Sequence, residues 1–250
     1  MSKKIVLVTG GNNGIGLETC SQLAEQPDTH VIMASRSIEK GQKALETVRA
    51  RAPNASIDLV QLDITSDSSI EAAVKQVTDT YGHIDTLINN AGICPVDISR
   101  DLFREAFETN ATSPALVTRA FAPLLRKSRS PRLIYVTSRL GSCGERADPN
   151  IGHYDEDWKV YRMTKAAVNM LALCDAWEYK NDGVLVFDYC PGFVTSDLAG
   201  MRQQKEEWNI PGPEKSAAGL VAIHQGNRDA EAGEYLNSGS DQGVGRTHPW

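Results

Sequence analysis

Short apolar runs alternate with longer amphipathic stretches along the chain, and this alternation constrains the fold more than any other feature. The short runs predict strands at residues 5–8, 31–34, 57–62, 84–88, 132–137, 184–189 and 234–236. The longer stretches predict helices at residues 15–26, 38–51, 66–81, 101–126, 158–179 and 214–225. Strands separated by helices form right-handed crossovers and parallel sheets. The pattern therefore predicts an α/β fold with a doubly wound, mostly parallel seven-stranded sheet.

The predicted strands are nearly continuous apolar runs, as in "KIVLV" and "VIMA". Strands have this composition when helices cover both faces of the sheet. A chain of 250 residues fits one large domain, and no repeat, low-complexity segment or linker divides it. We predict one domain over residues 1–250, and we expect the fourth helix to bend near Pro114.

Two segments interrupt the regular alternation, at about residues 139–158 and 192–213. Both follow predicted strands, so both lie at the carboxyl edge of the sheet, where open α/β folds bind ligands. We predict that both are substrate loops. The apolar residues of the second could close over a substrate or pack as a surface helix. Tyr154 and Trp158 are candidates for the opposite wall of an aromatic pocket, although packing in the loop is their commoner role.

A glycine-rich turn joins the first strand to the first helix in "VLVTGGNNGIGLE". Glycines at positions 10, 14 and 16 permit a tight turn and let backbone N–H groups approach a pyrophosphate at the helix N-terminus. A glycine-rich turn can also occur without a ligand. The flanking strand and helix favour a dinucleotide, and they predict a Rossmann fold.

The end of the second strand, "VIMASRS", distinguishes between two dinucleotides. Ser35 stands where an acidic residue would accept hydrogen bonds from the ribose 2′-hydroxyl, and Arg36 comes next. Arginine suits a 2′-phosphate because it makes charge-assisted, bidentate contacts. Arg36 could instead be an ordinary loop residue. Because the acid is missing, we predict NADP(H) rather than NAD, with Arg36 and Ser37 beside the phosphate.

Two further strand ends carry polar or small residues. Asp63 in "QLDIT" could accept the adenine amino group or cap the next helix. In "LINNAG", small residues let the backbone approach a cofactor, and asparagine side chains can connect neighbouring strands. A simple turn is the alternative. We assign Asp63, Asn90, Ala91 and Gly92 to the cofactor site.

Tyr161 and Lys165 stand four residues apart in "VYRMTKAAV", at the start of a predicted helix. Residues at this spacing share a helix face, and an exposed pair contributes only about 0.2–0.5 kcal/mol. A nearby cation can also lower the pKa of a tyrosine from about 10 and make it a better acid at neutral pH. The pair alone does not decide between these two interpretations, but the glycine-rich turn elsewhere in the chain favours the catalytic one.

Together these motifs resemble a known family. TGGNNGIG, LDIT, NNAG, ETNATS, IYVTSRLGS, Tyr161-x-x-x-Lys165 and PGFVTS follow one another in that order. Over essentially its whole length the chain is similar to the short-chain dehydrogenase/reductase family, and most similar to its NADP-dependent carbonyl reductase branch. The resemblance implies an NADPH-dependent oxidoreductase that reduces a ketone or aldehyde, such as an aromatic or secondary-metabolite carbonyl, to an alcohol.

The resemblance also implies residue roles. Tyr161 matches the catalytic acid/base, Lys165 its partner and Ser138 the serine that orients the carbonyl. Asn110 matches the asparagine that supports a water chain to the lysine. The implied cofactor contacts are Gly10, Asn13, Gly14, Ile15, Gly16, Arg36, Ser37, Asp63, Asn90, Ala91, Gly92, Tyr161, Lys165, Val194 and Ser196. We expect no metal site.

The chain departs from the family pattern in two places. Twenty-two residues separate Ser138 from Tyr161, which predicts an extra loop that borders the substrate site or restricts packing between subunits. Arg139 follows the serine where a small or apolar residue is commoner. We expect a substrate carboxylate or an acid of the loop beside this arginine.

Composition excludes several classes of protein. The formal net charge of −6 argues against nucleic acid as a partner. Five cysteines without a CxxC pair argue against a metal site or a disulfide framework, and no segment approaches the roughly 18 apolar residues of a membrane span. We expect a cytoplasmic protein with a small-molecule carbonyl substrate.

Two further expectations concern the oligomeric state and the type of activity. We expect a homo-oligomer, a dimer or a tetramer, that associates through the helices at residues 101–126 and 158–179. The alternatives to a reductase are a cofactor-binding regulator that has lost turnover and a family member with a non-redox activity, such as cyclisation or dehydration.

Overall fold

The computed structural model describes residues 3–150, 158–238 and 247–250. Tyr154, with the rest of residues 151–157, lies outside the described residues. Across the described chain, seven strands form one sheet in the order β3-β2-β1-β4-β5-β6-β7, and each neighbouring pair is parallel. The strands are β1 Lys4–Val8, β2 Thr29–Ser35, β3 Ile57–Gln61, β4 Thr86–Asn89, β5 Arg132–Val136, β6 Leu185–Cys190 and β7 Tyr235–Asn237.

Helices cover both faces of this sheet. They are α1 Gly14–Ala24, α2 Ile38–Arg51, α3 Asp67–Tyr81, α4 Arg100–Phe107, α5 Ser113–Leu125, α6 Cys143–Ala147, α7 Lys159–Glu178, α8 Arg202–Glu207 and α9 Glu214–Gln225. The predicted doubly wound α/β Rossmann fold is confirmed, and the sheet is parallel throughout. The short helices α6 and α8 lie in the two segments that the sequence predicts as substrate loops.

Successive residues of each strand pack into separate cores. Leu7 of β1 contributes to the core beneath α3, α5 and α7, together with Val117 and Phe121. Val8, the next residue, contributes to the core beneath α1, α2 and α9, together with Leu220. Because side chains alternate between the faces of a strand, burial on both faces requires the continuous apolar runs seen in the sequence.

The fourth predicted helix is irregular close to the expected position. A π-helical turn, Glu108–Thr112, separates α4 from α5 and includes Asn110. Pro114 lies in the first turn of α5, directly after this π-helical turn. The bend near Pro114 itself stays a prediction. Such π-helical turns are frequent at functional sites.

In the part of the chain that the structure describes, no helix is both long and apolar enough to cross a membrane. Within the same ranges, no three His, Cys, Asp or Glu side chains come together as a metal-binding group.

His224 is a buried titratable group on α9. Its Nδ1 lies 2.8 Å from Thr86 Oγ1 on β4, and its Nε2 lies 3.2 Å from Thr29 Oγ1 on β2. Burial lowers the pKa of His224 from 6.5 to about 4. The folded protein therefore holds a neutral imidazole between two hydroxyl groups.

This histidine should make stability depend on pH. The folded pKa lies below the unfolded one, so the unfolded chain binds the extra proton between about pH 6.5 and pH 4, and stability falls as the pH falls through this window. Between pH 7 and pH 4, the free energy of unfolding should fall by about 3 kcal/mol more in the wild type than in His224→Asn. Urea denaturation of both proteins at both pH values measures this difference, and equal losses would contradict it.

Candidate active site

A cavity lies at the carboxyl edge of the sheet, above β5 and β6. It encloses about 960 Å³ of space, part of it open to solvent. Ser138 follows β5, Tyr161 projects from α7, and the segment after β6 forms the opposite wall. Carboxyl ends of parallel strands are where open α/β sheets place their ligands. Both predicted substrate loops contribute residues to this cavity.

Ser138 and Tyr161 line the cavity, and Lys165 lies beside Tyr161. Tyr161 and Lys165 are only 6% and 5% exposed. The Lys165 ammonium lies 5.6 Å from the centroid of the Tyr161 ring and donates to the Val136 carbonyl oxygen at 2.7 Å. A hydrogen bond from the Ser138 side chain reaches Tyr161. The pair is therefore not a solvated helix contact.

The structure corrects the expected pKa of Tyr161. Burial raises the pKa of this phenol well above its ordinary value, and the hydrogen bond from Ser138 opposes the rise only in part. Burial also lowers the pKa of Lys165 to about 8, against the opposing effect of Asp188. The pKa of Tyr161 is thus raised, where the sequence predicts that Lys165 lowers it, because desolvation is the largest influence on this phenol. At neutral pH Tyr161 keeps its proton.

Asn110 connects two parts of the site from the π-helical turn. Its Oδ1 accepts from the Ile93 backbone N–H at 2.8 Å, and its Nδ2 donates to the Ile93 carbonyl at 2.8 Å. The same Nδ2 donates to Thr164 Oγ1 at 3.0 Å, beside Lys165 on α7. The side chain thus fixes the loop after β4 against α7. The implied water chain to Lys165 stays a prediction.

Two glycines of the glycine-rich turn adopt left-handed backbone angles. Gly10 and Gly14 have φ angles of 63° and 53°, a region that favours glycine. The Asn13 side chain accepts from the Gly14 N–H at 2.7 Å and so caps α1. Asn13 Nδ2 also donates to Asp197 at 2.8 Å, which connects the turn to the segment after β6. A helix N-terminus lined by glycines suits a pyrophosphate.

Asn90 holds this turn in place. Its Nδ2 donates to the carbonyl oxygens of Thr9 and Gly10 at 2.9 and 3.3 Å. The backbone N–H groups of Asn90 and Ala91 donate to Thr9 Oγ1 at 2.9 and 3.1 Å. The connection between neighbouring strands predicted for the asparagines is therefore present. Ala91 and Gly92 follow at the edge of the cofactor turn, both half-buried.

The residues predicted to contact the adenosine half of the cofactor follow two neighbouring strands, β2 and β3. Arg36 is exposed after β2, and among the described residues its guanidinium is in no ion pair within 4.0 Å. Ser37 caps α2, where its Oγ accepts from the Lys40 N–H at 3.3 Å. Asp63 Oδ1 accepts from the backbone and side chain of Thr65 at 3.0 and 2.8 Å.

The hydrogen bonds at the start of α3 show which residue caps this helix. Ser66 caps α3, so Asp63 is not a helix cap. The hydrogen bonds of Asp63 occupy Oδ1, and Oδ2 is available to a ligand. The end of β2 carries one arginine, Arg36, and no acid. The glycine cradle, the helix N-terminus and this donor set fit a dinucleotide.

The segment after β6 lies against the cofactor turn. Val194 and Ser196 are buried, and a Cβ placed on Gly14 would lie 3.5 Å from Ser196 Cβ. Thr195 connects the two ends of the segment by bonds from its N–H to the Pro211 carbonyl and from its Oγ1 to the Ile210 carbonyl. The apolar side chains predicted to cover a substrate line the cavity, with Trp158 opposite: Phe193, Leu198, Met201 and Trp208.

Arg139 has the loop acid that the sequence suggests. Its Nε donates to Glu145 at 2.9 Å, and His248 Nδ1 lies 2.5 Å from the other oxygen of Glu145. Tyr235 donates to the Ser138 carbonyl and stacks on Trp250 with ring centroids 5.4 Å apart. The last residues of the chain therefore support the loop that carries Ser138.

Sequence reasoning missed this support and missed Lys205. Glu145, Tyr235 and His248 carry no motif, and their contacts join residues about 100 positions apart. Lys205 stands in "RQQKEE", which has the composition of an exposed helix, yet its side chain lines the cavity. The only available signal was its position within the second predicted substrate loop.

Comparison with known proteins assigns the family. A family model described as short chain dehydrogenase matches residues 4–207. The chain belongs to the short-chain dehydrogenase/reductase family. The predicted membership is confirmed, and the members below are similar to it.

One similar family member is the short-chain dehydrogenase anuI of Penicillium roqueforti, 36% identical over 208 residues, which are 80% of this chain and 82% of that protein. Another is the short-chain dehydrogenase/reductase tropE of Talaromyces stipitatus, 32% identical over 94% of this chain and 95% of that protein. Among solved structures, NADPH-bound carbonyl reductase from chicken fatty liver superposes with a TM-score of 0.84. It is 27% identical, and the alignment covers 100% of both chains.

Proposed function

We propose that this short-chain dehydrogenase/reductase reduces a ketone or aldehyde to an alcohol, with NADPH as the hydride donor. One observation carries the proposal: the buried Tyr161 lies beside Ser138 and Lys165, in a cavity that also includes Ile15 of the glycine-rich turn. The similar chicken protein is a carbonyl reductase that binds NADPH, which supports the same direction of reaction. We also propose that residues 1–250 act as one catalytic domain in the cytoplasm.

The proposed mechanism uses the side chains of Ser138, Tyr161 and Lys165. When bound, NADPH supplies the hydride. Ser138 and Tyr161 donate hydrogen bonds to the carbonyl oxygen of the substrate and so hold it in place. As that oxygen gains negative charge, the Tyr161 hydroxyl transfers its proton to it. The Lys165 ammonium then stabilises the phenolate that remains.

The raised pKa of Tyr161 is consistent with this direction. A general acid must hold its proton at the operating pH, and a buried phenol does so across the neutral range. Lys165, with a pKa of about 8, is mostly protonated at neutral pH and can supply the compensating charge. Reduction should accordingly be favoured at and below neutral pH.

We propose that the dinucleotide is held by the residues assigned to it from the sequence. The glycine-rich turn, Asn13 and Ile15 take the pyrophosphate, while Asp63 takes the adenine. Val194 and Ser196 take the nicotinamide carboxamide. The buried position of the last two, beside Gly14, supports this order along the edge of the sheet.

Arg36 should determine the choice between the two nicotinamide cofactors. Arg36→Ala removes the cation nearest the 2′-phosphate, so the Kd of NADPH should rise by about 10- to 100-fold while that of NADH stays unchanged. Isothermal titration with each cofactor measures both constants. Arg104→Ala, which removes an exposed arginine on α4, is the control. Equal losses for NADPH and NADH would contradict the assignment.

A panel of ketones and aldehydes tests the proposed reaction. Aromatic walls formed by Phe193, Trp158 and Trp208 favour aromatic or polycyclic carbonyls, so the panel should include these beside aliphatic ones. NADPH absorbance at saturating cofactor reports turnover. NADPH binding without oxidation of NADPH by any carbonyl would favour the regulator or the non-redox alternative, and would overturn the proposal.

We propose that the protein is a homo-oligomer that associates through α7. Met163, Met170 and Trp177 repeat every seven residues on this helix and are 46%, 61% and 78% exposed. Leu116 on α5 adds another exposed apolar side chain. A row of this kind marks an association surface. Members of the family act on small-molecule substrates and commonly form oligomers, which supports this proposal.

Met170→Glu should convert the oligomer to a monomer, because the interface would bury an unpaired charge. Sedimentation velocity of the wild type and the variant measures the change. Val96→Glu is the control, since Val96 is 51% exposed outside both helices. A monomeric wild type would contradict the proposal.

A further inference from the structure

Lys205 is a buried cation that the proposed mechanism does not use. It belongs to the short polar helix α8, but its side chain is only 3% exposed and lines the cavity. Its Nζ lies 3.3 Å from the Leu198 carbonyl oxygen and 3.5 Å from Ser196 Oγ. The same nitrogen lies 5.1 Å from the centroid of the Phe193 ring. These neighbours are neutral, and their distances from Nζ are long for hydrogen bonds of an ammonium group.

No acid of the described residues pairs with the Lys205 ammonium within 4.0 Å, although the charge of Asp197 raises its pKa against the effect of burial. Among the described residues that line the cavity, Arg139 and Lys205 are the cations, and none is Asp or Glu. Arg139 is already paired with Glu145. Asp197, close to Lys205 along the chain, accepts from Arg202 at 2.5 Å and from Asn13 at 2.8 Å. The described part of the cavity thus carries positive charge beside apolar walls.

A buried ammonium with weak neutral acceptors is costly unless an anion reaches it. Burial lowers the pKa of Lys205, which reflects this cost. The ammonium groups of Lys165 and Lys205 both oppose the rise in the pKa of Cys94. Lys205 and Cys94 line the same cavity as Tyr161 and Trp208.

We propose that Lys205 binds an anionic oxygen, a carboxylate or a phenolate, on the carbonyl substrate. The inference deepens the proposed function and rests on it, because it names the class of substrate that the same cavity takes. Phe193 and Trp208 would cover the apolar body of the molecule, while Lys205 holds its charged end. A phosphate oxygen of the cofactor is the other source of such an anion, since Ser196 contacts Lys205.

Binding of unreactive probes tests the charge preference without turnover. Isothermal titration of the NADP⁺-saturated enzyme compares naphthoate with naphthamide, which have similar shapes but differ in charge. The wild type should bind naphthoate about 10- to 100-fold more tightly, as expected for one charge-assisted hydrogen bond. Lys205→Met should lose this preference, and Lys205→Arg should keep it. Lys215→Met, which removes an exposed lysine on α9, is the matched control.

Several outcomes would overturn the inference. Equal affinity of the wild type for the two probes would do so, even if Lys205→Met failed to fold. A preference retained in Lys205→Met would assign the anion to another group. A rise in the Kd of NADP⁺ in Lys205→Met, with the probe preference intact, would assign Lys205 to the cofactor phosphate.

Kinetics separate this inference from the proposed function. The ortho, meta and para isomers of acetylbenzoate and acetylbenzamide present the same ketone with and without a negative charge. Lys205→Met should raise KM by about 10- to 100-fold for an accepted acetylbenzoate and leave KM for the amide unchanged. Turnover of neither series by the wild type, with naphthoate still preferred, would contradict the ketone reduction and support the anion site. Equal changes for both series would overturn the anion site alone.

Discussion

Tyr161→Phe should lower kcat for ketone reduction by about 10²- to 10⁴-fold, the range that a positioned general acid contributes. The substitution removes one hydroxyl group and keeps the ring, which is buried at the floor of the cavity. The hydrogen bond with Ser138 is lost with it. Because the ring does not form the glycine-rich turn, the Kd of NADPH should stay within about threefold of its wild-type value.

Stopped-flow measurement of NADPH oxidation under single-turnover conditions reports the chemical step, and titration reports the cofactor. Tyr81→Phe is the matched control: it removes a phenol that donates to Asp58 at 2.8 Å, far from the cavity. Its kcat should not change. Near-normal reduction by Tyr161→Phe would refute the proton transfer. Loss of NADPH binding would show that the side chain acts in binding instead.

Much of the fold could be predicted because the signals are local. Each apolar run, helix cap and breaker acts within a few residues, so the strand and helix positions follow from the sequence, mostly within two residues. The parallel direction of the strands then follows from the alternation of strands and helices, because a helix that connects two strands of one sheet permits few topologies. The cofactor turn was predictable for the same reason. Its glycines stand at φ angles that the sequence pattern already indicates.

What escaped prediction depends on contacts between distant residues. The π-helical turn contains Asn110. The side-chain amide of Asn110 forms hydrogen bonds with Ile93 and Thr164, which lie 17 and 54 positions away in the sequence. The burial of Lys205 depends on how α8 folds back over the cavity. Neither follows from a local pattern, because "RQQKEE" has the composition of an exposed helix and "ETNATS" carries no signal for a π-helical turn.

The pKa of Tyr161 illustrates the same limit in the active site. The sequence places a cation beside the phenol, and a cation alone would lower its pKa. Only the folded chain reveals that desolvation has the larger effect. The residue types could therefore be predicted from their spacing, while the balance of their energies required the packing around them.

Gly16→Ala should disrupt the cofactor turn more than any other small substitution in it. A Cβ on Gly16 would lie 2.3 Å from the Gly10 carbonyl oxygen and 2.5 Å from Asn90 Nδ2. These two atoms form the hydrogen bond between Asn90 and Gly10 that holds the turn in place, so at least one of them must move. Overpacking of this kind costs about 1–3 kcal/mol of stability. The displaced turn N–H groups should also weaken NADPH binding by about 10- to 100-fold.

Gly41→Ala separates a clash with backbone from a general effect of alanine in a helix. A Cβ on Gly41 of α2 meets Leu59 Cδ1 at 2.6 Å, which is the end of a flexible side chain. Rotation of Leu59 relieves that contact, and alanine favours the helix by about 1 kcal/mol, so stability should change little. Thermal denaturation and NADPH titration of both variants give the comparison. Wild-type NADPH affinity in Gly16→Ala would mean that the phosphates bind elsewhere, because the Gly10 carbonyl oxygen and the new methyl group cannot keep their present positions together.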